Sequence, residues 1–187
     1  MAPGEIPQRP KRRKPEPERI IRHERAHRLI NEAVPADDRH PYLVRKGIRA
    51  HGAWQIDDRL ILPVMQPALL VGLQFISPDG GKLFLKGTLL KNSYFFIGDP
   101  VVAAPGGQIV IAEGFATAAS IHEATGWPAL VAYSASNLQN VAQDWRKTLP
   151  DADFIISADD EAAGRKAAQE AAQAVDGRVM ALTERAA

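Results

Sequence analysis

Two groups of carboxylates follow two apolar segments of the chain at the same relative position. Glu113 comes directly after the mainly apolar segment 108–112, and the acidic segment 159–161 follows the mainly apolar segment 153–158. If both segments are strands of one parallel sheet, their carboxyl ends lie at the same edge and the carboxylates meet there. Carboxylates held together repel one another unless a cation lies between them, and Mg²⁺ prefers oxygen ligands. The spacing therefore predicts a divalent metal site.

The alternative interpretation is that these acids complement the dipoles of the helices that follow them, which is common in proteins. A single acid would favour this simpler explanation. The metal site is favoured here because two acidic clusters occupy equivalent strand ends, with Gly114 beside the first and Gly164 beside the second.

Composition removes several classes of function. The 187 residues include no cysteine, which excludes disulfides, thiol catalysis, iron–sulfur clusters and cysteine-based zinc sites. No phosphate-binding G-x-x-x-x-G-K-[ST] segment is present, so the sequence contains no fused ATPase. No apolar run approaches the roughly 20 residues that span a bilayer, and the first residues lack the apolar core of a secretion signal. The sequence predicts a cytoplasmic protein without membrane contact.

The first part of the chain is cationic and rich in proline. Residues 1–28 hold nine Lys or Arg against four Glu, and five of the fourteen prolines fall within residues 1–17. Proline at this density prevents continuous helix or sheet, so residues 1–18 are predicted to be a basic tail or linker. Such a segment can seek phosphate groups or simply remain solvated.

The next segment is predicted to be a small α+β module at 19–103. A helical period over 19–33 and a short helical segment at 40–48 precede a β-rich module at 50–98, in which short apolar runs are separated by proline and glycine turns. The residues Pro-Asp-Gly-Gly at 78–81 predict a hairpin between two of these runs. The predicted strands cover 59–65, 70–77 and 82–87.

From about residue 104 the pattern changes to apolar segments that alternate with helical ones. Asn137 is interpreted as the N-cap of the second of these helices, and Gly126 and Gly177 as helix ends. Strands that alternate with helices of this length imply right-handed crossovers and a parallel sheet covered on both faces. The predicted fold class is α/β, with four parallel strands at 108–114, 128–134, 153–159 and 178–182.

Two of these segments resemble the Toprim domain shared by bacterial-type primases, type IA and type II topoisomerases and related nucleases. They are I-A-E-G-F-A-T-A at 111–118 and A-D-D-E-A-A-G-R-K-A-A at 158–168. The wider sequence from His40 is similar to the Toprim primases of plasmids and phages. The segments with counterparts there are H-P-Y-L-V-R-K-G-I, R-L-I-L-P-V, G-L-Q-F-I-S-P-D-G-G-K-L-F-L-K-G, E-G-F-A-T-A-A-S-I-H-E-A-T-G and S-A-S-N-L-Q-N-V-A. The resemblance implies a Toprim, Rossmann-like sheet over residues 104–187.

The resemblance also implies roles for the acids. Glu113 corresponds to the Toprim glutamate, an acid/base or metal-proximal group, and Asp159 and Glu161 occupy the two acidic positions of Asp-x-Asp. The predicted catalytic residues are therefore Glu113, Asp159 and Glu161, and the predicted metal ligands are these three with Asp160. Glutamate at 161 departs from the family pattern and is one methylene longer. Metal sites respond to shifts of about 1 Å, so the ion moves, Asp160 substitutes, or activity falls.

Basic residues are expected to hold template and triphosphate opposite the metal. In the resembling primases the module before the Toprim domain supplies a basic ridge, which implies this role for Arg59, Lys82, Lys86 and Lys91. Arg165 and Lys166 open the third helix of the Toprim segment, where they either reach phosphate or pair with neighbouring acids.

The sequence as a whole favours the catalytic core of a primase from a mobile element. It would synthesise RNA primers on single-stranded DNA from ribonucleoside triphosphates with Mg²⁺ or Mn²⁺, without zinc, and a helicase or another replication protein is a possible partner. The alternatives are a Toprim nuclease with the same metal cluster and a non-catalytic Toprim module that binds DNA or a replication protein. A topoisomerase is disfavoured because its DNA-gating domains need more chain, although Tyr42, Tyr94 and Tyr133 offer phenols.

Overall fold

A computed structural model of the chain describes residues 17–99, 106–158 and 162–181, with side chains from residue 24 onward. The predicted tail at 1–18 lies almost entirely outside this part. The helices are α1 (Pro17–Glu32), α2 (Pro41–Lys46), α3 (Phe115–Thr125), α4 (Ala135–Thr148) and α5 (Ala162–Ala174). The strands are β1 (Val34–Pro35), β2 (Trp54–Ile56), β3 (Arg59–Gln66), β4 (Leu69–Ile76), β5 (Lys82–Phe84), β6 (Phe95–Ile97), β7 (Gln108–Ala112), β8 (Ala129–Val131), β9 (Asp153–Ala158) and β10 (Arg178–Ala181).

The first sheet is an antiparallel meander in the order β1-β2-β3-β4-β5. The predicted turn at 78–81 joins β4 to β5. Its two glycines let the chain reverse direction within four residues. A register shift between Val64 and Met65 interrupts the long β3–β4 pairing. The sequence therefore predicted this module correctly in kind and in the strands β3 and β4, whereas β5 covers only the first half of the run at 82–87.

The second sheet has the order β10-β9-β7-β8-β6. Its four strands β7 to β10 are parallel and correspond to the four predicted strands. A fifth strand, β6, pairs antiparallel with β8. The sequence analysis placed residues 95–97 in the β-rich module, and this placement was wrong, because a run of three apolar residues carries no information about which sheet it joins.

Three apolar clusters hold the layers together. α1 packs on one face of the first sheet, where Ala26 meets Leu73. The other face shares a single core with α3 and one face of the second sheet, where Leu60, Val110 and Phe115 are buried. α4 and α5 cover the remaining face of the second sheet. The prediction of helices on both faces of the parallel sheet is confirmed.

The helix ends follow the sequence at two glycines and depart from it at Asn137 and Gly177; the left-handed residue after α5 is Asp176, with φ of 50°, and not Gly177. Gly47 and Gly126 end α2 and α3 in the left-handed conformation, with φ of 64° and 74°. The N-cap of α4, however, is Ser134, and Asn137 is a buried residue within the helix. The predicted cap at Asn137 was wrong because its amide serves tertiary hydrogen bonds to the loop before β6 instead. Among the described helices, none combines the length and the apolar character needed to cross a bilayer.

Candidate functional site

Glu113 occupies the turn between β7 and α3. β7 ends at Ala112, Gly114 is the N-cap of α3, and Glu113 lies between them. The backbone N–H of Tyr133 donates to the carbonyl oxygen of Glu113 at 2.9 Å, and that of Ala132 donates to the carbonyl oxygen of Ala112 at 2.8 Å. These bonds continue the β7–β8 ladder past the last strand residue, so the sheet itself holds Glu113 at its carboxyl edge.

The neighbouring strand ends at the same level. β7 and β9 are paired in parallel, with Ile111 opposite Ile156. Two residues further along each strand come Glu113 and Ala158, and adjacent strands lie about 4.8 Å apart. α5 begins at Ala162, so the described elements on both sides of the acidic segment belong to this edge. The common edge inferred for the two acidic groups agrees with this topology.

Asp159, Asp160 and Glu161 themselves lie outside the described residues. Of the four predicted metal ligands, the described part of the chain contains Glu113, and within that part no group of three His, Asp or Glu is arranged to hold a metal ion. Their roles in catalysis and metal binding stay predictions.

Glu113 faces a pocket between the two sheets. The cavity has a volume of about 290 Å³. Its wall combines residues of α2, β4 and β5 with the β7–α3 and β8–α4 turns; the principal lining side chains are Lys46, Gln74, Lys82, Phe84, Glu113 and Tyr133. The pocket exists only because the antiparallel module packs across the carboxyl edge of the Toprim-like sheet.

One end of the pocket is electropositive. The Lys82 ammonium lies 3.7 Å from the position that a Cβ would take at Gly114, the first residue of the α3 N-terminus. Gly114 has no side chain that could cap this terminus, and the first backbone N–H groups and the positive dipole end of α3 face the same space as Lys82. Lys46, near the end of α2, lines the pocket as well. This arrangement suits an anionic group such as phosphate.

Tyr133 joins the two sheets at this site. Its φ is +69°, in the left-handed region that non-glycine residues rarely adopt. Its hydroxyl donates to the carbonyl oxygen of Pro63 in β3 at 2.8 Å. Burial raises the pKa of the Tyr133 hydroxyl well above its ordinary value. A buried, hydrogen-bonded phenol of this kind is a structural group and a poor candidate for attack on DNA.

The other predicted basic residues lie away from the pocket wall. The Arg59 guanidinium lies 5.2 Å from the centre of the Phe75 ring, which packs on the α1 side of the first sheet. Lys86 is exposed. Lys91 lines a separate cavity, of about 560 Å³, and its carbonyl oxygen accepts from Gln66. Their proposed contacts with DNA therefore stay predictions for a surface outside the Glu113 pocket.

Arg165 and Lys166 are exposed on the first turn of α5. The Lys166 ammonium lies 3.8 Å from the Glu170 carboxylate one turn later, a surface ion pair that contributes little to stability. Of the two roles predicted for Lys166, the structure shows pairing with a neighbouring acid. Because α5 starts at the carboxyl end of β9, both residues nevertheless lie near the acidic edge.

Sequence reasoning missed Lys46, Gln74 and Phe84. Each belongs to a segment whose pattern indicates a helix end or a half-buried strand, and no local signal separates a pocket residue from a surface one there. One signal did exist in β4. Gln74 is a polar residue on an otherwise buried strand face, where unpaired polar side chains are uncommon, and this exception indicates a functional position.

Comparisons with known proteins agree with the geometry. Residues 108–184 match the family described as Toprim domain. A DNA primase TraC of Escherichia coli is 33% identical over 172 residues, which cover 84% of this chain and 16% of that protein. A second TraC of Escherichia coli has the same identity, with 12% of its length covered. The chain thus spans less than a fifth of the curated relatives it matches.

Two solved structures share the fold. The primase fragment of the bacteriophage T7 primase-helicase has a TM-score of 0.57 at 20% identity, over 78% of this chain and 65% of that one. Primase domains of bacteriophage T7, bound to an RNA/DNA hybrid and interacting with the lagging-strand DNA polymerase, give 0.57 at 20% identity over 79% and 81%. The common architecture therefore extends beyond the Toprim segment into the antiparallel module.

Proposed function

We propose that this chain, whose residues 108–184 match the Toprim domain family, is the catalytic core of a DNA primase that synthesises RNA primers on single-stranded DNA. The observation that carries the proposal is the position of Glu113, at the carboxyl edge of the Toprim sheet and on the wall of a pocket that also holds Lys46 and Lys82. The similarity to TraC primases over 84% of the chain supports the same reaction class.

A divalent cation, Mg²⁺ or Mn²⁺, fits the donor chemistry of this edge. Carboxylate oxygens are the ligands such ions prefer, and Glu113, on the pocket wall, follows the strand β7 that pairs with β9. Asp159, Asp160 and Glu161 would complete the set with Glu113. A bound divalent ion would stabilise negative charge on phosphate oxygens during nucleotidyl transfer. A cysteine-based zinc site has no place in the proposal, since the chain contains no cysteine.

The residues of the chain act mainly by positioning. Lys46, Lys82 and the N-terminus of α3 hold the triphosphate of a ribonucleotide in the pocket. The 3′ hydroxyl oxygen of a second nucleotide attacks the α-phosphorus, the bond to the β-phosphate oxygen breaks, and pyrophosphate leaves. Glu113 is placed to accept the hydroxyl proton or to hold the ion.

Single-stranded DNA is the proposed template, and ribonucleoside triphosphates are the proposed substrates. Exposed basic residues outside the pocket, including Lys86, Arg165 and Lys166, supply phosphate contacts along the strand. A replication protein such as a helicase or polymerase is a further proposed partner, by analogy with the bacteriophage T7 primase domains that contact a DNA polymerase.

The proposal is tested by incubating the full chain with single-stranded DNA, labelled ribonucleotides and Mg²⁺ or Mn²⁺. We expect short RNA products that Glu113→Gln and Asp159→Asn each reduce by about 100-fold or more. Asp57→Asn is the matched control, because Asp57 is an exposed carboxylate in the β2–β3 turn. Shortened DNA would instead indicate a nuclease, and a mobility shift without products would indicate a binding module. Primer synthesis unchanged by both substitutions would overturn the site.

A further inference from the structure

Phe84 places an aromatic ring on the pocket wall, which also carries the polar side chains of Lys82 and Glu113. It lies on the edge strand β5 and is 37% exposed, although it is a large apolar side chain. Tyr133 contacts it edge to face, with ring centroids 5.8 Å apart and an interplanar angle of 77°. Since Tyr133 is itself buried and hydrogen bonded, the Phe84 ring has a fixed support on one side and an open surface on the other. An exposed ring held in this way is a suitable platform for stacking.

Gln74 lies directly opposite Phe84. The two residues are partners in the antiparallel β4–β5 pairing, so their side chains point to the same face of the sheet as close neighbours. Gln74 is 5% exposed and lines the pocket, yet its side-chain amide makes no hydrogen bond within the described part of the chain. Among the described residues, the buried side-chain polar atoms without a partner belong to Gln55 and Ser157, so the Gln74 amide is reached by water from the pocket. The partner that this amide lacks in the protein can be supplied by a ligand.

The platform and the amide are adjacent to the electropositive end of the pocket. Lys82 is two residues before Phe84 on β5, so both side chains lie on the same face of the strand. The Lys82 ammonium approaches Gly114 at the start of α3. One short strand thus carries a cation and a ring, with an unpaired amide beside the ring. Together they match a molecule with phosphates at one end and a flat, hydrogen-bonding group at the other.

We propose that Phe84 and Gln74 form the nucleobase-binding part of the pocket, in which the base of a ribonucleoside triphosphate stacks on Phe84 and hydrogen-bonds to the Gln74 amide. This inference rests on the proposed function and deepens it by naming the residues that select the base. A glutamine amide offers one donor and one acceptor side by side, the pattern that pairs with N6 and N7 of adenine. The pocket is therefore expected to prefer ATP over pyrimidine nucleotides.

The first test is equilibrium binding, measured by calorimetry with ATP, CTP and inorganic triphosphate in the presence of Mg²⁺. Phe84→Leu keeps an apolar side chain but removes the aromatic face, and we expect it to weaken ATP binding by about fivefold to 150-fold. Binding of inorganic triphosphate should not change. Leu83→Ala is the matched control, because Leu83 is the neighbouring residue on β5, is 72% exposed and points to the opposite face of the sheet.

The second test concerns base selection by Gln74. Gln74→Met keeps the length of the side chain and removes its hydrogen bonds, and we expect the ratio of ATP to CTP affinity to fall toward one. Gln74→Glu keeps an acceptor and removes the donors, so it should retain less preference for ATP than the wild type and serves as a second variant if the first folds poorly. Circular dichroism of each variant checks folding. A wild type that binds ATP, CTP and triphosphate equally would overturn the inference.

Failure of the inference can be separated from failure of the proposed function. If primers are made but Phe84→Leu leaves ATP binding unchanged, the base-binding assignment is wrong and the primase proposal stands. If ATP binding depends on Phe84 but no primers form, the base-binding assignment stands and the primase proposal is wrong. A loss confined to binding of a single-stranded DNA oligonucleotide, with ATP binding intact, would place a template base on Phe84 and would also overturn the assignment.

Discussion

The backbone N–H of Tyr133 donates to the carbonyl oxygen of Glu113 at 2.9 Å, while the hydroxyl of the same tyrosine donates to Pro63 in the other sheet. One residue therefore fixes the backbone of Glu113 and ties it to the module that carries Lys82 and Phe84. The positive φ of Tyr133 indicates that the surrounding packing imposes this conformation. The site depends on this connection as much as on the acid itself.

Tyr133→Phe should destabilise the protein by about 1 kcal/mol, because it removes one buried hydrogen bond and leaves the Pro63 carbonyl without its donor. The measurement is the free energy of unfolding in urea. Tyr94→Phe is the control, since Tyr94 is half-buried in an edge-to-face contact with Trp145 and its hydroxyl makes no hydrogen bond within the described residues. Equal losses for the two variants would show that the link between the sheets contributes nothing.

Lys82→Ala should raise the KM for ribonucleotides by about fivefold, which corresponds to roughly 1 kcal/mol for a partly exposed charge contact with phosphate. Lys91→Ala should leave this KM unchanged, because Lys91 lines a different cavity. Steady-state primer synthesis at varied nucleotide concentration checks both. If Lys91→Ala has the larger effect on KM, the pocket beside Glu113 is not where the triphosphate binds.

Asn137→Ala should cost about 3 kcal/mol in free energy of unfolding, since three buried backbone groups lose their partners. The Asn137 amide donates to the carbonyl oxygens of Ser93 and Ala132, each at 2.9 Å, and its oxygen accepts from the N–H of Asn92 at 2.8 Å. Asn140→Ala, on the same helix, should change stability by no more than about 0.5 kcal/mol, because its amide contacts only the carbonyl oxygen of Ser136 in an exposed position. Urea unfolding of both variants provides the comparison.

Glu123 should make stability depend on pH in the acidic range. Burial alone raises the pKa of Glu123, but hydrogen bonds from the Arg49 N–H and the His51 ring outweigh it and lower the pKa below 4.5. A carboxyl whose pKa is lower in the folded protein stabilises it fully above the unfolded pKa and loses this contribution as the pH falls through the folded value. Between about pH 5 and pH 3, the wild type should therefore lose more stability than Glu123→Gln.

The control for this pH dependence is Glu170→Gln, which removes an exposed carboxylate on α5. Its unfolding free energy should run parallel to that of the wild type over the same range. The Glu123 contact is contradicted if the curves of the wild type and Glu123→Gln stay parallel down to pH 3.

Local sequence patterns were sufficient for most elements. The alternation of apolar and helical segments after residue 104 predicted β7 to β10 and the three helices between them, and the glycine turn at 78–81 predicted the β4–β5 hairpin. Periodicity and turn chemistry act over a few residues, so these signals can be recognised in the sequence without knowledge of the tertiary structure. The strand that pairs with β6 could not be predicted in this way, since three apolar residues pair equally well with either sheet.

The sequence by itself determined that Glu113 and the acidic segment 159–161 follow strands of one parallel sheet, because strand direction and crossover handedness leave few ways to connect such a pattern. Tertiary structure alone decided that β4 and β5 lie across this edge, where β5 brings Lys82 and Phe84, and β4 brings Gln74, to the pocket of Glu113. The packing of one sheet against another depends on the shapes of both buried faces. Contacts between residues far apart in the chain do not change the local pattern of apolar and polar residues in either segment, so that pattern does not predict them.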